Sequence, residues 1–429
     1  MLTKIWQFFH FKPLNTLTIL RLFALTGVFS IAIFPAVYFA LEANNLTTVI
    51  YSHTFADFAE TASFFFAKNA YTGDFGIRTI YSPLAYIVVM PFALIAKNQI
   101  EDYLSGEIDL AELSQTTEIR ISSSLFFIFW TILICLLLLK VFGFRGEKKL
   151  YLIVIVITFA PIVHCLFRGN TVIVSTFFSL VFCAFYRSHN RWAKEIALIS
   201  LGLATAIKIF PAFLALALIK EKKLMPIIRA GIYSLLFYFV PFAFANGGFS
   251  NLAFLWQNAV DFLYKVNGFE WTNLSFTNYF RVLHYIFDSI IGESSTSIII
   301  EIASWTVILC YLCLVVVSAL AFKGGKRKAP FLIVVIGAVL FVPGVSYFYN
   351  ASVLIFAYLV FAQEIGLYSK NDRIFYCTCF LLMAFYPFNT YIWFSPIGII
   401  TLIMSFKAMY DVYKDGINQR KLEQKVSLI

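Results

Sequence analysis

Asp57 and Glu60 lie three residues apart in the stretch HTFADFAETASFFF. A helix beginning near Phe55 would put Asp57, Glu60, Thr61 and Phe64 on one face and Phe58, Ala62 and Phe65 on the other. A carboxylate at a membrane-shielded cavity can act as a general base when burial raises its pKa. A structural reading competes with this one. Thr54-Phe55-Ala56-Asp57 has a capping-box-like spacing, so Asp57 could simply tie down a helix start. The two roles are compatible. His53, four residues before Asp57, is a candidate for lining the same cavity. Arg168, Lys208 and Arg281 sit where lipid depth makes a cation costly, and a cation at the bilayer edge usually snorkels to the headgroups. That ordinary reading suits Arg281 and Arg78. It suits Lys208 less, because apolar residues flank it for about ten positions on each side, and intramembrane charges are functional candidates by default. Arg168 as a fork and Lys208 as a point charge match a lipid phosphate. The histidines (His10, His53, His164, His189 and His284) show no ligand spacing, so neither a metal site nor another cofactor is expected. No glycine-rich phosphate loop is present, which argues against a nucleotide donor or an ATP motor.

A membrane scaffold must position these residues. The 429-residue chain is 61% hydrophobic and 13% charged, against about 45–50% apolar and about 25% charged in soluble domains. This excludes a soluble enzyme, a disordered scaffold and a disulfide-stapled secreted domain. Apolar runs of about 18 residues or more exclude the alternating strands of a membrane barrel. The expected fold class is all-α: a polytopic integral membrane protein forming a single domain over residues 1–429. All seven cysteines lie in apolar runs, so no disulfide framework is predicted. The CxxC spacing of Cys310 and Cys313 lacks a second pair and reads as packing. The first apolar span has no small-residue cleavage site after it and reads as a retained helix.

Apolar runs recur at about 21–41, 121–142, 150–167, 170–187, 195–219, 229–246, 297–320, 329–348, 350–368, 373–389 and 391–410. Lys and Arg cluster between them at Lys140 to Lys149, Arg187 to Lys194, Lys220 to Arg229, Lys323 to Lys328, Lys370 to Arg373 and in the C-terminal tail. The positive-inside rule assigns these clusters and the N-terminus to the cytoplasm. Two segments must then not cross. Ser82–Ala96, with Pro83 and Pro91, lies in the interface. Ile196–Ile219 forms a hairpin of two short helices turning at Lys208 to Pro211, where proline breaks the helix. With both choices the net charge of +10 divides into +17 inside and −7 outside. The chain then has roughly 12 membrane helices and two large outer segments, 42–120 and 247–296, the first containing interfacial helices.

One helix, a long outer loop with an early acid, a Tyr-x-Pro-Leu segment, then many spans with a polar late loop: this order resembles the GT-C glycosyltransferases. More narrowly, it is similar to the polyprenol-phosphate-mannose-dependent mannosyltransferases of glycosyltransferase family 87. The resemblance covers most of residues 20–360. Asp57-Phe58 matches the family's loop acid, and Tyr81-Ser82-Pro83-Leu84 with Pro91-Phe92-Ala93-Leu94 matches its YPPL…PFALL run. Arg168-Gly169-Asn170 stands where the family usually has Gly-Gln-x-Asn. Gly202 to Pro211 is the closest match, to a GLAxxxKxxP run. Asn273-Leu274-Ser275 resembles the late-loop QSL, with Arg281 following. Ser346-Tyr347-Phe348-Tyr349-Asn350 aligns with a Ser-Trp-x-His-His element and lacks its histidines.

The resemblance implies a sugar (mannose or a related hexose or pentose) carried on a polyprenyl phosphate and used at the extracytoplasmic face of the cell membrane. The acceptor would be a glycan or glycolipid of the envelope, with no nucleic-acid partner. Asp57 would take the acceptor proton in one inverting displacement, while Arg168 and Lys208 hold the departing lipid phosphate. His53, Glu60, Tyr81, Asn170, Asn273, Ser275, Arg281 and Ser346 are the substrate-binding candidates. A polysaccharide polymerase or ligase is the enzymatic alternative, but such proteins typically lack the early acidic loop. A lipid or sugar transporter or flippase is the other. Transporters often show broken helices in matching halves, and only Lys208 to Pro211 reads as a break here.

Overall fold

The computed structural model describes residues 15–42, 54–73, 78–219, 224–265, 273–291, 296–322, 327–384 and 396–426. His53 lies outside the described residues, as does the basic cluster at 220–223. Among the described residues the chain is helical, apart from one isolated antiparallel bridge between Asn273 and Tyr347. Helices are what a lipid-exposed backbone requires, since each N–H and C=O finds its partner within the segment.

The protein is a polytopic membrane protein. Five described helices are long and apolar enough to cross a membrane: Thr16–Ile33, Thr117–Phe142, Leu224–Phe244, Ile299–Ala321 and Phe348–Leu367. Glu147–Thr158 and Ala160–Arg168, bent by 44° at their junction, make a sixth if they form one span. The bend falls at Phe159, whose backbone is extended, and Pro161 opens the second half. By length and composition the described residues therefore do not reach the expected twelve. Several apolar runs fold into helices shorter than the ~20 residues that span a bilayer. Ala329–Phe341 shows why run length misleads: all of its 13 residues are buried against protein.

Polar contacts gather the basic helix ends on one face. Arg21, at the start of the first helix, donates to the Tyr151 hydroxyl (2.9 Å) and pairs with Glu147 (3.3 Å). Gln363 donates to the Phe142 carbonyl (3.1 Å), and the Lys328 amide donates to Glu364 (2.8 Å). Arg327 clasps Asp415 through two nitrogens (2.9 and 2.6 Å), and Lys407 bridges Asp372 (2.7 Å) and Asp411 (2.6 Å). The first-loop helices Ala56–Phe66 and Leu110–Gln115 pack at the other end of the scaffold, beside the Thr117 end of Thr117–Phe142.

Helices Arg191–Ile207 and Leu224–Phe239 run parallel. Glu195 meets Arg229 and Tyr233, while Gly202 lies against Tyr233 and Ser234. The chain therefore turns back between them. The turn begins at Lys208, whose extended backbone (φ −144°, ψ 126°) ends the first helix, and Pro211 opens the short 3₁₀ helix Phe210–Ala215. A Cβ at Gly202 would lie 2.7 Å from Tyr233 Cβ and 2.9 Å from the Tyr233 carbonyl carbon. Small residues permit such close helix approach. Gly202→Val is expected to cost about 1–3 kcal/mol through overpacking, seen as a lower melting temperature in detergent. An unchanged melting temperature would show that the two helices are not in contact.

Candidate active site

Two chain reversals abut to build the site. At the first, Phe55 precedes helix Ala56–Phe66 in the left-handed region (φ 60°), the one described non-glycine residue there. Such a conformation costs of order 1–3 kcal/mol and persists only where the surroundings impose it. Here the Phe55 amide donates to the Phe167 carbonyl (2.9 Å), and the Phe55 carbonyl accepts from Phe58 and Ala59. At the second reversal, Gly169 (φ 73°) ends helix Ala160–Arg168. A Cβ on Gly169 would sit 2.7 Å from Phe58 Cβ and 2.9 Å from the Phe58 amide nitrogen. Only glycine permits this approach.

The approach brings Asp57 to Arg168. Arg168 Nη2 donates to Asp57 Oδ1 (2.8 Å), and Asn170 Nδ2 donates to Asp57 Oδ2 (2.7 Å). Asn170 Oδ1 accepts from the Val172 amide (3.0 Å), which points the Asn170 amide donors at the carboxylate. The Asp57 side chain is 19% exposed and that of Arg168 37%. The capping reading of Asp57 is corrected: the helix has no side-chain cap, and the carboxylate reaches a residue 111 positions away. The helix is packed inside the protein. Ala56, Phe58, Ala59, Thr61, Ala62, Ser63 and Phe64 are all buried among the loop helices.

Lys208 arrives from the turn after Arg191–Ile207. Its Nζ lies 3.7 Å from the centre of the Tyr81 ring, a cation–π contact, and the residue is 8% exposed. Ser82 Oγ donates to the Ala206 carbonyl (2.8 Å), fastening the Tyr-Ser-Pro-Leu segment to the end of that helix. The Tyr71 hydroxyl donates to the Tyr81 carbonyl (2.8 Å), and Asn258 Nδ2 donates to the Tyr71 (3.0 Å) and Thr79 (3.1 Å) carbonyls. Helix Asn251–Lys265 thus braces Tyr81 from the late loop. Asp57 and Glu60 both act electrostatically on Lys208. Burial pushes the Glu60 carboxyl up to about 7; Asp57 adds to this, and Lys208 and Arg168 oppose it. Tyr103 is pushed up to about 12, by burial first and then by Glu60.

The other sequence candidates fall into two groups. Asn273, Ser275 and Ser346 form a buried knot. Asn273 Oδ1 accepts from the Ser346 (2.9 Å) and Ser275 (3.1 Å) amides, and Ser275 Oγ donates to the Gly344 carbonyl (3.1 Å). Asn350 Nδ2 donates to Ser346 Oγ (3.2 Å), while Asn273 Nδ2 and Asn350 Oδ1 are buried without a partner. The knot holds Tyr347 and Tyr349, whose rings lie 5.4 Å apart. Tyr349 stacks on His164 (5.9 Å) and is within electrostatic reach of Asp57, Tyr81 and Arg168. Tyr349 and His164 were not among the sequence candidates, and the only signal for Tyr349 was its place in the Ser346–Asn350 element. Arg281 is on helix Phe276–Ile291, and Arg78 forms an exposed pair with Asp261 (3.6 Å), the ordinary surface reading. Among the described residues no group of three or more His, Cys, Asp or Glu side chains is placed to hold a metal ion.

Two acids and two cations gathered among loop helices at one end of a helical membrane scaffold form a built site in an integral membrane protein. The chain belongs to glycosyltransferase family 87, whose family model matches residues 79–346. It is therefore a membrane glycosyltransferase. The matched region contains Tyr81, Arg168, Asn170, Lys208, Asn273, Ser275, Arg281 and Ser346, and Asp57 and Glu60 lie just before it. No curated protein and no solved structure matches the chain.

Proposed function

We propose that the protein transfers a sugar, mannose or a related hexose or pentose, from a polyprenyl-phosphate donor to a glycan or glycolipid acceptor at the extracytoplasmic face. The observation that carries this reading is the convergence of Asp57, Arg168 and Lys208 at the end of the scaffold opposite the basic helix ends. By the positive-inside rule the opposite end is the outer one. In the reaction the acceptor hydroxyl oxygen attacks the sugar C1, and the C1–O bond to phosphate breaks with its electron pair leaving on the lipid phosphate. The hydroxyl proton passes to Asp57. Attack opposite the leaving group inverts the anomeric centre. Arg168 and Lys208 stabilise charge that grows on the departing phosphate, the kind of interaction that accelerates a reaction most. The apolar bulk of the scaffold would supply the groove for the polyprenyl chain.

Steady-state kinetics of Lys208→Met and Arg168→Lys test the phosphate assignment. A hydrogen bond to a charged group contributes about 1.5–3 kcal/mol. The donor KM is therefore expected to rise roughly 10- to 150-fold in Lys208→Met, with the acceptor KM nearly constant. A raised acceptor KM with an unchanged donor KM would place the phosphate elsewhere.

A further inference from the structure

Two carboxylates, Asp57 and Glu60, share the site with two cations, Arg168 and Lys208. Glu60 follows Asp57 by one helical turn, where side chains three positions apart are neighbours. Asp57 is held by Arg168 and Asn170, so the neighbouring acid is the one left to answer a change in local charge. Such a change is built into the chemistry, because a sugar phosphodiester brings a fixed negative charge to a cluster that already holds two acids. We propose that Glu60 is the charge-balancing acid of this site, binding a proton when the anionic donor enters and releasing it when the site empties. This rests on the lipid-phosphate reading above and goes beyond it by adding a proton to donor binding. Glu60 acts through the field it exerts on the phosphate and is a positioning residue.

The groups that act on Glu60, or on which it acts, are Asp57 on its own helix, Arg168 from helix Ala160–Arg168, Lys208 from the turn, Tyr81 before Pro83–Ile87 and Tyr103 on Lys97–Ser105. The sign follows from the carboxyl's position near 7. Below that pH Glu60 is neutral and welcomes an anion; above it, donor binding must first take up a proton. One linked proton weakens binding about tenfold for each pH unit above the midpoint.

The test is the affinity of the purified protein for a non-transferable polyprenyl-phosphate sugar analogue whose phosphodiester keeps one negative charge from pH 6 to pH 8. Wild-type affinity is expected to be about tenfold weaker at pH 8 than at pH 6. Glu60→Gln should bind as tightly at pH 8 as at pH 6, and Glu60→Asp should keep a pH dependence. Calorimetry of the wild type in buffers of different ionisation enthalpy should show uptake of about one proton per analogue at pH 8, a readout that does not depend on any variant folding. PH-independent wild-type binding, no proton uptake, or an unchanged pH dependence in Glu60→Gln would overturn the proposal while leaving the lipid-phosphate reading in place. Absence of analogue binding at every pH would overturn both.

Discussion

Asp57→Asn is expected to remove sugar transfer and to leave donor binding close to that of the wild type. Asparagine preserves the shape of the side chain and still offers one acceptor, so the contact with Arg168 at 2.8 Å survives. Its amide nitrogen then faces the Asn170 amide donors, which the Val172 amide holds in place. That lost hydrogen bond costs about 1 kcal/mol. Loss of the proposed proton acceptor is expected to weigh far more, because general base catalysis contributes roughly 10²–10⁴-fold. The expected signature is a kcat lowered by about a thousandfold with the donor KM within a few-fold. The fold survives because the Phe55 backbone, and not the Asp57 side chain, sets the helix start. Transfer at the wild-type rate would remove Asp57 as the base. A large loss of melting temperature would make it a structural residue instead.

Gly169→Val is the second large effect, and it comes from geometry alone. The left-handed conformation costs a residue with a Cβ about 1–2 kcal/mol, and a β-branched side chain fares worse. The new Cβ would also press on Phe58 Cβ and on its amide nitrogen, at 2.7 and 2.9 Å. Backbone cannot yield as a flexible side chain does, so helix Ala56–Phe66 must move away from Arg168. Together the two costs are expected to reach about 2–5 kcal/mol, with transfer lost because Asp57 no longer meets Arg168. Gly143 is the control. Its φ is also positive (61°), but a Cβ there would meet nothing within 4 Å. Gly143→Val should lower the melting temperature by the conformational cost alone and retain activity. Equal losses in both variants would mean that the approach of Phe58 to Gly169 does not matter.

The sequence singled out the charged residues that the structure brings together and missed the neutral ones around them. Asp57, Arg168 and Lys208 were legible because a charge in an apolar chain is costly and must have a reason. The competing weight given to capping came from a four-residue spacing. The decisive partner lies 111 positions away, where no local pattern reaches. Tyr349 and His164 carry no such signal: aromatic rings are common in this chain, which has 50 Phe and 23 Tyr. Asn258 was invisible for a related reason, since it acts on the Tyr71 and Thr79 carbonyls and so on backbone, whatever their side chains. The helical, polytopic class followed from composition. The helix count did not, because an apolar run reads the same whether lipid or protein covers it. Ala329–Phe341 is covered by protein along its whole length. The break at Lys208 was visible in Pro211, whereas the parallel packing of its flanking helices depends on Gly202 meeting Tyr233, a contact between separate elements.

The most direct measurement is transfer by purified protein in lipid, with radiolabelled sugar supplied either on a polyprenyl phosphate or on a nucleotide, and the anomeric configuration of the product determined. The Asp57, Arg168 and Lys208 site predicts transfer from the lipid-linked donor alone, with inversion, and its loss in Asp57→Asn. Transfer from the nucleotide sugar, or retention of configuration, would contradict it.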